Sequence, residues 1–255
     1  MVPSSIPFTL FYFPNSARRV SPGFLSICFI LLFAGISHGD VIKKNGKFDI
    51  PYGSLLNNRR EEYRQLVETH SIFRSLHRIE FNIDKSIVNF MLDHPPFLAV
   101  ALKVMKIRNY TVEKSIGGGY LVDDLKGVSG NIEVIYSRPG QKYFYGVGRY
   151  KGALIRLTGR GLILFEYLGG AGRPYRTNIS YNTYTKIDNM AWEILMKILK
   201  PILIPLMDKK VNKFIRETQN LANEITVHPE KVYQAIKESG LAKEAELEEF
   251  RKLVF

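Results

Sequence analysis

The chain has 255 residues, 45% of them hydrophobic and 24% charged, ordinary proportions for a domain that builds its own core. Its net charge of +12 is dispersed, which suits an anionic membrane surface or nucleic acid without specifying either. A single cysteine, Cys28, excludes an internal disulfide framework and a cysteine-built metal site.

Residues 1–39 read as an export signal. Arg18 and Arg19 precede the apolar run Phe24–Gly35, and Ser37-His38-Gly39 allows cleavage before Asp40. The alternative is an uncleaved membrane anchor, for which the run is short of the ~20 residues a spanning helix needs. Cleavage would remove Cys28 and leave no thiol nucleophile. The expected location is therefore outside the cytoplasm, in the periplasm or cell envelope.

Residues 40–58 read as a linker broken by Pro51 and Gly53. Residues 59–77 are expected to form an N-terminal helix, in which Tyr63, Leu66, Val67, Ile72, Phe73 and Leu76 make an apolar stripe among charges. His70 and His77 fall on that stretch with no third ligand nearby, so no metal site is read from them. A first strand is expected at Arg78–Asp84, where R-I-E-F-N-I-D alternates. Asp84 then suits the N-cap of a helix beginning Lys85-Ser86-Ile87. Asp93-His94-Pro95-Pro96 breaks that helix, and a second follows at Phe97–Met105.

Further strands are expected at Tyr110–Ile116, Tyr120–Lys126, Gly130–Ser137, Lys142–Tyr150, Leu154–Leu168 and Tyr175–Ile187. Glycine and proline turn signals separate them and no helical pattern intervenes, so the sheet is antiparallel by hairpin connections. Gly159 and Gly161 predict a bulge or bend. From Met190 to Ile225 apolar residues recur every three or four positions, a helix of more than ~50 Å at about 1.5 Å per residue. Pro201 and Pro205 each disfavour a straight helix by roughly 3 kcal/mol and predict a kink. A rod this long needs a broad apolar bed, and the sheet supplies it. Residues 226–255 form a charged tail with helical pieces at Pro229–Ser239 and Leu241–Leu253, read as a solvated hairpin or a contact arm.

The order of strand, two short helices, six strands and a long C-terminal helix resembles the START-like, helix-grip superfamily, which includes polyketide cyclases, coenzyme Q-binding proteins and lipid-transfer domains. The local texture that carries the resemblance is F-N-I-D-K-S-I-V-N-F-M-L-D-H at the start and Y-N-T-Y-T-K-I-D-N-M-A-W-E-I-L at the passage from last strand to helix. The resemblance spans Arg78–Glu224, within a domain placed at 78–225. It implies an α+β helix-grip fold: a seven-stranded antiparallel sheet wrapped around a long C-terminal helix, with a cavity between them. The signal, the extra N-terminal helix, the helical tail and the two prolines depart from the usual pattern, and the motifs carry no catalytic signature.

Aromatic residues with polar tips suit an amphiphilic ligand, with rings on its apolar part and hydroxyl or guanidinium groups at a head group. The expected ligand-binding residues are Phe97, Leu98, Tyr143, Tyr145, Arg149, Arg156, Phe165, Tyr181, Trp192, Leu195 and Leu199. Ordinary strand packing is the competing explanation for each aromatic, and Arg149 and Arg156 fit a solvated face equally. No nucleophile elbow, phosphate-binding glycine loop or H-E-x-x-H occurs. No catalytic residue, metal or cofactor is assigned. The sequence is read as an exported carrier of a lipid or other hydrophobic small molecule, with peripheral contact to anionic membrane and no nucleic-acid partner. The alternatives are a cyclase- or hydrolase-like enzyme acting on an apolar substrate in the same cavity, and a structural envelope protein whose tail binds a partner.

Overall fold

The computed structural model describes residues 50–56, 58–152, 156–169, 175–188 and 211–255. The expected signal, the kink at Pro201 and Pro205, and the first part of the long helix lie outside the described residues.

Seven antiparallel strands form one sheet: β1 (Ile72–Phe81), β2 (Thr111–Lys114), β3 (Tyr120–Asp123), β4 (Val128–Arg138), β5 (Gln141–Lys151), β6 (Arg156–Gly169) and β7 (Thr177–Ile187). Their spatial order is β1-β7-β6-β5-β4-β3-β2. Strands β2 to β7 follow one another as hairpins, and β1 closes against β7, with Phe73 opposite Tyr184 and Phe81 opposite Thr177. The helices are α1 (Arg60–Thr69), α2 (Lys85–Asp93), α3 (Pro95–Val104), α4 (residues 211–227), α5 (Pro229–Ser239) and α6 (Glu244–Val254). This is an α+β helix-grip fold, with the helix of residues 211–227 seated on the inner face of the sheet.

The first strand begins earlier than its alternation suggests. The expected helix over 59–77 ends at Thr69, where His70 bonds the Val67 carbonyl through Nδ1 at 2.7 Å. Ile72 to Leu76 then pair with β7. The register slips between Leu76 and Ile79, and Arg78 sits at φ 54°. That slip breaks the period of two, so only the part after it reads as a strand.

Strand alternation divides the core into two layers. On β6, Leu157, Ile163, Phe165 and Tyr167 face the helices, while Leu162 and Leu164 face the other way. The outer layer is covered by α1, whose Tyr63 and Leu66 are buried against Tyr145, Leu162 and Tyr184. A sheet apolar on both faces needs cover on both, and the N-terminal helix supplies the second cover.

Asp84 caps α2 by accepting from the Ser86 amide at 2.7 Å. Pro95 and Pro96 open α3, and the axes of α2 and α3 meet at 107°. The C-terminal helices are not a solvated appendage. Val232, Ile236 and Phe250 are wholly buried in the same cluster as Phe90, Phe97 and Leu102. Their stripes at helical spacing cover the outer side of α2 and α3.

Candidate functional site

A cavity of about 120 Å³ lies between the sheet and the helices. Ile79, Phe81 and Ile83 at the end of β1, Phe165 on β6, and Ile179 and Tyr181 on β7 form its floor. Val88, Met91 and Leu92 from α2 and Leu98 from α3 make one wall. Phe214, Ile215, Thr218, Leu221, Ala222 and Ile225 from α4 make the roof. The apolar stripe of α4 and the inward positions of β1, β6 and β7 meet here because each must leave water.

Among these described lining residues only Tyr181 and Thr218 carry hydroxyls. The Thr218 hydroxyl donates to the Phe214 and Ile215 carbonyls, each at 3.0 Å, and so turns back into its own helix. The lining therefore offers hydrocarbon and aromatic surface to a guest. An apolar cavity of roughly 150 Å³ stays dry and holds a single benzene ring, so the described space has the scale of one ring or a short alkyl segment.

Charged groups lie outside this lining, at two of its borders. On one side Lys142, wholly buried, donates to Asp93 at the end of α2. Asn89 Nδ2 donates to the other Asp93 oxygen at 2.8 Å, and Tyr167 donates to Asn89 Oδ1 at 2.5 Å. Burial, then the Asp93 charge, push the Tyr167 hydroxyl above its ordinary value. On the other side Glu217 of α4 meets Arg108 at 3.5 Å and Lys213 at 3.7 Å. Burial raises the Glu217 carboxyl above the usual carboxylate range, although Arg108 and Lys213 pull it down. Tyr110, under the Arg108 guanidinium at 5.5 Å, is raised by burial as well.

Of the residues expected to bind ligand, Leu98, Phe165 and Tyr181 line the cavity. Phe97 points away from it, its ring 5.0 Å from Phe90 and 5.1 Å from Phe250. Tyr143 and Tyr145 are corrected to the outer face. Tyr145 packs 5.1 Å from Tyr63 and donates to Glu62 Oε1 at 2.5 Å, while Tyr143 stacks on Tyr136 at 4.7 Å. Burial pushes the Tyr143 hydroxyl up to about 12. Arg149 is exposed on that same face, donating to Ser129 Oγ at 3.0 Å, and Arg156 is exposed opposite Lys151. The reason is parity: Lys142 and Phe144 point inward, so Tyr143, Tyr145 and Arg149 cannot. Trp192, Leu195 and Leu199 lie outside the described residues. The lining residues that strand aromaticity did not reveal, Ile79, Ile179, Met91 and Thr218 among them, carry no chemical mark. Phe214, Leu221 and Ile225 were visible as the stripe of the last helix.

No family model matches the chain, and no curated protein does either. Solved structures do. A conserved protein of Geobacillus kaustophilus is 14% identical, with a TM-score of 0.44 over 59% of this chain and 95% of that one. A hypothetical protein of Helicobacter pylori is 13% identical, with a TM-score of 0.37 over 60% of this chain and 92% of that one. Norcoclaurine synthase from Thalictrum flavum is 14% identical, with a TM-score of 0.38 over 63% of this chain and 91% of that one. These likenesses carry nothing about function here; the fold stands on the strand order and the seating of the helices.

Proposed function

We propose that the protein binds and carries a lipid or other hydrophobic small molecule, holding an apolar part of it between the sheet and the helix of residues 211–227. The observation that carries this reading is the apolar lining of the 120 Å³ cavity, where the one threonine hydroxyl is consumed within its own helix. Such a lining rewards a hydrocarbon or ring and offers little to a charged group. The charge of +12 and the signal-like N-terminus support a carrier that works at the cell envelope and docks on anionic membrane. Mass spectrometry of the purified protein under native conditions, followed by organic extraction, tests it. A co-purifying apolar molecule, or saturable uptake of a fluorescent dye that carries a single phenyl ring or short alkyl arm and that Ala222→Phe abolishes, is the expected result. Empty protein with no dye uptake would overturn it.

A second reading has one observation in its favour. The Asp93–Lys142 pair stands next to the lining residues Leu92 and Phe165, which places an acid and a buried amine beside the apolar space. An enzyme that processes an apolar substrate would use them. Turnover lost in Lys142→Met with dye binding intact would favour that reading over the carrier.

A further inference from the structure

On the outer face of the sheet, α1 covers the positions around Tyr145 and Leu162, and two rows of side chains beyond it cross from β2 to β6. The register sets Glu113, Leu121, Asn131, Val147 and Arg160 side by side in one row. It sets Thr111, Asp123, Ser129, Arg149 and Thr158 in the next. A shallow cleft of about 510 Å³ runs over both rows. A strand face left to water carries polar side chains, yet Leu121 is 51% exposed and Val147 46% exposed. Between these two, on β4, the Asn131 Oδ1 atom is shielded from solvent and has no hydrogen-bond donor among the described residues. An apolar pair flanking an unmet amide marks a surface that something else completes.

The order within the rows identifies the occupant. Each row runs from acid to base: Glu113 to Arg160 in the first, Asp123 to Arg149 in the second. β4 is the middle of the five strands β2 to β6. A half-turn about an axis lying along β4 therefore lays each row on its own reverse. Glu113 then faces the partner's Arg160, Asp123 faces the partner's Arg149, and Leu121 faces the partner's Val147. Asn131 lies on the axis and meets its own counterpart, so the two amides can exchange N–H···O bonds and supply the missing donor. A surface that is its own complement about one axis selects a second copy of the same chain. We infer that the outer face of β2 to β6 is the contact of a two-fold dimer, sheet on sheet about β4. Sheets packed face to face keep their strands within about 30° of each other and lie about 10 Å apart, which suits an axis running along a strand. Five strands about 4.8 Å apart make a small face, so association in the micromolar range is expected. The cavity lies on the opposite face of the sheet, so this inference is independent of the carrier reading.

The test is sedimentation velocity of the full chain from about 1 to about 200 µM, a range that brackets micromolar association. Wild type is expected to pass from monomer to dimer. Leu121→Asp and Val147→Lys are the variants: both positions are about half exposed, so each variant should fold, which melting temperature checks. Each alone should raise the dimer dissociation constant at least about tenfold, because a charge then faces an apolar side chain at both symmetric contacts. An equimolar mixture of the two should recover a heterodimer, since Asp at 121 of one chain faces Lys at 147 of the other while the second contact keeps its Leu121 and Val147. Only an axis along β4 brings these two positions together. Wild type that stays monomeric over the whole range would overturn the inference and leave this face to a different partner. A dimer that neither variant weakens would overturn it by placing the contact elsewhere. Two monomeric variants whose mixture forms no heterodimer would overturn the axis.

Discussion

Lys142, wholly buried on the inner side of β5, donates through Nζ to Asp93 at the last position of α2. This ion pair fastens the helical wall of the cavity to the middle of the sheet, and Asn89 and Tyr167 extend it into a chain of hydrogen bonds. The two partners differ in surroundings, since the Asp93 side chain is 40% exposed and the Lys142 side chain not at all. Removing each should therefore have unequal effects. Asp93→Asn leaves an ammonium group buried without a counter-charge and should destabilise the fold by about 2–3 kcal/mol. Lys142→Met keeps the length and apolar stem, lets water solvate Asp93, and should change stability by less than about 1 kcal/mol. Urea unfolding of both variants checks this; equal losses would show that packing rather than charge holds the wall.

Tyr145 supplies a second contrast. Its hydroxyl donates to Glu62 of α1, and its ring lies under the Arg59 guanidinium at 4.9 Å. Burial, followed by the Glu62 bond, raises its ionisation above the ordinary tyrosine value. Tyr145→Phe should cost about 1–2 kcal/mol by leaving Glu62 with fewer donors. Dye uptake should not change, because the residue faces α1 and not the cavity. A loss of uptake with no loss of stability would contradict the assignment of faces.

These two residues also show what the sequence could and could not reveal. The alternation Lys142-Tyr143-Phe144-Tyr145 is legible as a strand, and hairpin signals are enough to give the six strands from β2 to β7; the seventh, β1, enters the sheet beside β7 across two helices, and only the resemblance implied its place there. Parity alone does not say which face meets the ligand when both faces are apolar. The stripe of α1, Tyr63 and Leu66, required a surface to cover, and the outward face of β5 and β6 was the available one. Lys142 inside an aromatic strand was a signal for a buried ion pair, but Asp93 is 49 positions away and only the folded chain joins them. The docking of the C-terminal helices was illegible for the same reason: Val232, Ile236 and Phe250 mark a buried stripe without naming its partner.

Glu217 makes stability depend on pH in a stated direction. Its folded-state ionisation lies above the ordinary glutamate value of 4.5 because burial disfavours the charged carboxylate. The folded protein therefore holds this proton more tightly than the unfolded chain. The stabilisation from that proton is complete below about 4.5 and is lost as pH rises through the higher folded value. Glu217→Gln abolishes the titration. The stability of wild type relative to Glu217→Gln should thus decline as pH rises above about 4.5, read by urea midpoints across the range. A difference that grows with rising pH would mean that Arg108 and Lys213 outweigh burial.

Phe250 tests whether the C-terminal helices belong to the cavity wall. Its ring is wholly buried, 5.9 Å from Phe90 and 5.1 Å from Phe97, so it clamps α2 and α3 from the side opposite the cavity. His94, at the junction of those helices, adds contacts to Glu246 at 3.7 Å and Glu249 at 3.5 Å. Phe250→Ala removes a buried aromatic and should cost about 3–5 kcal/mol. The wall it braces carries Val88, Met91, Leu92 and Leu98 on its inner side. Loosening the brace should therefore speed dye release as well as lower stability. Leu241→Ala is the control: the residue is 52% exposed, and its loss should stay within about 0.5 kcal/mol with release unchanged. If Phe250→Ala unfolds more easily but releases dye at the wild-type rate, the C-terminal helices stabilise the fold without governing access to the cavity.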